Sequence, residues 1–71
     1  MSRLGTVRTD LGPVTLHHRA GRFETRRTVR RTDGTDFVSV VILSRERARE
    51  WYRLALANGA TRRPFPGEVR T

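Results

Sequence analysis

Two adjacent histidines, His17 and His18, are the residues of this chain best suited to acid–base or metal chemistry, and their adjacency is what removes them from it. Along an extended chain neighbouring side chains point to opposite faces, so the pair cannot converge on one ion or one proton path. There is no cysteine, and the acids show no ligand spacing around the histidines, so a zinc site lacks its donors. Ser39 and Ser44 stand without a base or an orienting acid and read as a strand hydroxyl and a helix cap. Gly5, Gly12, Gly21 and Gly34 fall singly, which leaves no phosphate-cradling loop. The expectation is a protein that is not an enzyme and uses neither cofactor nor metal. His17 then reads as a solvent-facing group able to meet a phosphate when protonated, and His18 as an edge-of-core residue.

The remaining chemistry is that of arginine. All 15 basic residues of the 71 are Arg, against 7 acids, for a net charge of +8. A guanidinium makes bidentate forks with phosphate oxygens and with guanine edges. A GC-rich coding sequence explains Arg in place of Lys, but not an excess of eight positive charges. A small domain tolerates such self-repulsion best when an anionic partner neutralises it. The excess is uneven: residues 1–31 carry eight Arg against Asp10 and Glu24, whereas residues 32–43 carry only Asp33 and Asp36.

The elements that must position these side chains follow from the punctuation. Gly12-Pro13, Ala20-Gly21, Asp33-Gly34, Asn58-Gly59 and Pro64-Phe65-Pro66-Gly67 mark turns or stops. Between them the chain predicts an α+β fold, a three-stranded antiparallel meander at about 13–20, 22–31 and 35–43 with one C-terminal helix packed on one face. Residues 1–12 form an N-terminal arm or a short fourth edge strand, residues 13–59 the β-β-β-α domain, and residues 60–71 a flexible basic tail. In the helix, from about 45 to 58, Ser44 is the N-cap, Glu46 suits the first turn, and Ala48, Trp51, Tyr52 and Ala55 recur on one face. Trp51 is expected to be its largest buried side chain, with Tyr52 left open as a stacking residue.

Asp33-Gly34 suits the two positive φ angles of a type I′ turn, and Ala20-Gly21 a second two-residue turn. Two such loops set the register and hence the faces. One face gathers Val14, Leu16, Phe23, Val29, Val38, Val40 and Ile42 beneath the helix. The other presents Arg19, Arg22, Arg26 and Arg30 with Thr28 and His17, beside Phe37, Val41 and Leu43. The arginines, Thr28 and His17 are the candidate nucleic-acid contacts; Phe37, Val41 and Leu43 are the candidate interface, because a strand apolar on both faces usually has cover on both. In architecture alone, over roughly residues 13 to 58, this resembles the three-stranded-sheet DNA readers, such as the arm-binding domains of tyrosine recombinases and the plant GCC-box domain. It shares no diagnostic motif with them, so no site is carried over.

The function expected is DNA binding through the arginine-rich sheet face, as a small regulator or accessory factor. The alternative is a protein-interaction module, a dimeric adaptor or an inhibitor of an acidic partner, and RNA binding shares the charge argument. Met1 to Leu16 holds no apolar run of signal-peptide length and no later segment approaches a membrane span, so a cytoplasmic protein without membrane contact, in which two copies pair as a homodimer if the apolar strand is covered, is expected.

Overall fold

The computed structural model describes residues 2–67. The order is β1 (Ser2–Thr9), β2 (Gly12–Arg19), β3 (Arg22–Arg30), β4 (Asp36–Leu43) and α1 (Arg45–Ala57). The strands form one antiparallel sheet in the order β1-β2-β3-β4, so of the two expectations for the N-terminal segment, arm or fourth edge strand, it is the edge strand, eight residues long. Its register slips by one residue between Arg3 and Gly5. Beyond the slip Gly5 lies against the helix end: a Cβ there would stand 2.7 Å from the Ala55 Cβ and 2.8 Å from that of Ala60. The glycine that weakens β1 in isolation is what lets the helix approach it.

The helix starts and stops where its caps require. Ser44 sits in extended backbone and its hydroxyl accepts from the Arg47 N–H at 3.2 Å, while the Asn58 N–H donates to carbonyls of the last turn before Gly59 turns at φ +95°. Ala48, Tyr52 and Ala55 are buried; Ala48 and Tyr52 pack with Leu4, Leu16, Phe23 and Phe65 over one face of the sheet, and Ala55 lies against Gly5.

Three expectations are corrected. The β3–β4 turn is not a two-residue loop: Gly34 N–H donates to Arg31 O, Arg31 N–H donates to Thr35 O, and Gly34 alone takes positive φ. Asp33 keeps a negative φ because its carboxylate accepts from both the backbone N–H and the hydroxyl of Thr35. The resulting three-residue loop sets Val29 opposite Phe37 and Thr25 opposite Val41, one residue from the expected register. Every β4 side chain therefore changes face: Phe37, Ser39, Val41 and Leu43 lie on the helix side, and Val38, Val40 and Ile42 on the outer side. By contrast, the Ala20-Gly21 turn has both residues at positive φ and keeps the expected register, His18 opposite Phe23 and Leu16 opposite Thr25.

The second correction concerns the helix aromatics. Tyr52, not Trp51, is the buried one; Trp51 is half-buried at the margin of the core. The Tyr52 hydroxyl donates to Arg63 O at 2.6 Å and accepts from Arg63 N–H at 2.9 Å, which satisfies its polar end inside the core. The third concerns residues 60–67, the described part of the expected flexible tail. They run back along the helix, with Phe65 buried and stacked on Phe23 at 4.8 Å. Residues 68–71 lie outside the described residues.

Candidate functional site

Strand pairing decides which arginines share a surface. Val14, Leu16 and Phe23 point into the core, so residues of opposite parity on β2 and β3 point away from the helix. Arg19 faces Arg22 across the tight turn, Arg26 faces Thr15, and Arg30 lies at the far end of β3, with Thr28 between them. The bulged β1 adds Arg3, opposite His17, and Arg8, opposite Pro13. Six arginines thus share a face with two acids, Glu24 and Asp36. Arg3 and Arg8 join this set only because β1 pairs as a strand, which the apolar pattern of residues 4 to 9 hinted at and Gly5 obscured.

The six are not equivalent. Arg26 Nε donates to Glu24 Oε2 at 3.0 Å, and that hydrogen bond holds the Glu24 carboxyl below its ordinary range even though burial pushes the other way. Arg30 Nε meets Asp36 Oδ1 at 3.2 Å in an exposed pair, worth little in water. Arg19 and Arg22 have no ion pair among the described residues, and with Ala20, Glu24 and Ile42 they line a shallow depression.

His17 departs from its expected role. Its Nε2 lies 2.7 Å from the Thr15 hydroxyl, which itself donates to Arg26 O at 3.3 Å, so the network assigns the ring proton to Nε2. Nδ1 is buried without a partner. Neither nitrogen is presented to a phosphate, and a proton added at Nδ1 would find no acceptor. Burial, then the charge of Arg26, lowers the His17 pKa from its ordinary 6.5, against an opposing pull from Glu24. Between 6.5 and that lowered value the unfolded chain binds more protons, so stability is intact above pH 6.5 and falls as the pH drops through the folded value. Urea midpoints measured from pH 7.5 down to pH 5 are expected to decline, and His17→Gln to remove the part of the slope that begins near pH 6.5. Glu24 adds a further loss below its ordinary value of 4.5.

The expected interface is divided. Phe37, Val41 and Leu43 are on the helix side, where Leu43 packs against the core but Phe37 and Val41 stay exposed, Val41 lining an open cavity with Trp51. Arg31 covers one face of the Phe37 ring at 4.7 Å. The outer face carries Val38, Val40 and Ile42 instead, beside the arginines.

Among the described residues no three His, Cys, Asp or Glu side chains group as metal ligands, and no helix is long and apolar enough to cross a membrane. Neither a protein-family model, nor a curated protein, nor a solved structure matches this chain.

Proposed function

We propose that the helix-free face of the sheet binds nucleic acid, double-stranded DNA first, by tracking its phosphates. The observation that supports this reading is the placement of Arg19, Arg22, Arg26 and Arg30 on one uncovered face, with Arg19 and Arg22 in no ion pair there. From Arg22 to Arg30 along β3 the chain advances eight residues, roughly 26 Å at 3.3 Å each. That is the length of about eight base pairs at 3.4 Å. Four strands span about 14 Å between the outer backbones, wider than the ~12 Å major groove. Backbone contact is thus favoured over insertion of the whole sheet, and Thr28 and the arginine forks supply phosphate donors.

Electrophoretic shifts with duplex DNA, single strands and structured RNA, each across a salt series, test the reading. Duplex affinity is expected to fall steeply with salt, with a log-log slope of about −0.9 for each phosphate neutralised. A slope near zero for all three probes would remove nucleic acid as the ligand. Preference for structured RNA would keep the surface and change its target. A protein-interaction role is the second reading, and the exposed apolar side chains of β4 favour it; it predicts no shift with any nucleic acid.

A further inference from the structure

The two edges of the sheet are finished differently. Along β1 the helix end closes in: the Arg8 N–H donates to Asn58 Oδ1 at 3.1 Å, and Gly5 lies against Ala55 and Ala60. Along β4 nothing among the described residues pairs with the outer side, because β4 is last in the sheet order. The turn shows which residues face outward. Arg31 and Thr35 form a hydrogen-bonded pair, so by alternation Phe37, Ser39, Val41 and Leu43 bond to β3, and Asp36, Val38, Val40 and Ile42 direct their N–H and C=O groups to the open side.

This edge carries none of the features that keep edges solitary. Between Phe37 and Leu43 there is no charge, no proline and no glycine, and the β3–β4 register runs without a bulge. Phe37, Val38, Val40, Val41 and Ile42 are between 39% and 58% exposed, spread over both faces of the strand.

We propose that two copies of this chain join β4 to β4, antiparallel, about a two-fold axis normal to the sheet and passing through Val40, making one continuous eight-stranded sheet. A two-fold of that orientation pairs residues of like parity, which share a face. Centred on Val40 it sets Val40 against its own copy, Val38 against Ile42 and Phe37 against Leu43, apolar on apolar, with the outward-directed N–H and C=O groups in the bonding positions. It also carries Asp36 past the apolar run to Ser44, the helix N-cap, where a carboxylate is favoured.

Charge selects a second copy over another partner. On a chain of net charge +8, residues 32–43 hold no cation; Arg31 reaches over the Phe37 ring at the end of the seam, but its centre, from Val38 to Ile42, meets without arginine, whereas contacts through the other strands set arginine against arginine. A polyanion finds no charge to pair with on this strand, and an acidic protein none to complement. At the β1 edge Asn58 takes the Arg8 N–H and residues 58–61 lie beside Arg3 to Thr6, so a third copy meets an obstructed edge and pairing is expected to stop at two. The proposal does not depend on nucleic-acid binding, although it would place both arginine faces on one side of the joined sheet.

Sedimentation equilibrium of the full chain from about 5 to 200 µM tests it, with amide hydrogen exchange at both ends of that range. The expected result is a mass approaching twice 8.2 kDa, falling to a single chain in Val40→Lys, whose paired charges would meet on the axis. The Val38, Val40 and Ile42 amides of the unaltered chain should gain protection as concentration rises, a readout that holds even if the variant folds poorly. A monomer throughout, a dimer unaffected by Val40→Lys in a folded variant, higher oligomers without a dimer plateau, or concentration-independent exchange at these three amides would each overturn the proposal.

Discussion

Phe65→Ala is expected to remove about 3–5 kcal/mol of folding stability, the range for truncating a large aromatic in a packed core. For a domain of 71 residues the whole margin is only about 4–10 kcal/mol. The ring is 3% exposed, lies nearly parallel to Phe23 at 4.8 Å and tilted to Tyr52 at 5.6 Å, and has the guanidiniums of Arg45 and Arg49 within 5.2 Å of its centre. Its loss would also release Arg63, whose backbone is held at both N–H and C=O by the Tyr52 hydroxyl. Thermal midpoints should drop by roughly 12–40 °C, at about 4–8 °C for each kcal/mol in a domain of this size. Phe65→Leu keeps much of the buried volume and should cost under half as much. Loss of less than about 0.5 kcal/mol in Phe65→Ala, the ordinary range for surface substitutions, would return residues 60–67 to the status of a tail.

Replacing Arg19 and Arg22 together by serine is expected to weaken duplex binding by at least tenfold near 0.15 M salt and to flatten the log-log salt slope by about 2, one for each phosphate contact. These two lead because neither is held in an ion pair among the described residues, whereas Arg26 is bonded to Glu24 and Arg30 to Asp36. Arg53→Ser, on the exposed side of the helix that covers the other face of the sheet, is the control and should leave the slope unchanged. Arg22→Lys separates charge from geometry: it should retain the slope while losing any bidentate contribution. An unchanged slope in the double variant would move the contact surface elsewhere on the molecule.

Much of this molecule is determined by local chemistry, and local chemistry is legible in a sequence. The helix limits follow from Ser44 and Asn58-Gly59, the β2–β3 register from Ala20-Gly21, and the shared face of Arg19, Arg22, Arg26 and Arg30 from the period of two along β2 and β3. The charge imbalance is composition alone.

What the tertiary structure decided lies where two conformations of similar local cost lead to different global outcomes. Asp33-Gly34 fits either a two- or a three-residue loop, and the bonds from Thr35 to the Asp33 carboxylate select the latter. A one-residue difference in a loop reverses every side chain of β4, because strand periodicity has no intermediate position. Likewise Trp51 and Tyr52 both fit the helix stripe, and only Arg63, brought back by Phe65, gives a buried hydroxyl its partners and so draws Tyr52 inside. Spacing along a chain reports which residues can share a face; which face is covered, and by what, depends on contacts between segments distant in sequence.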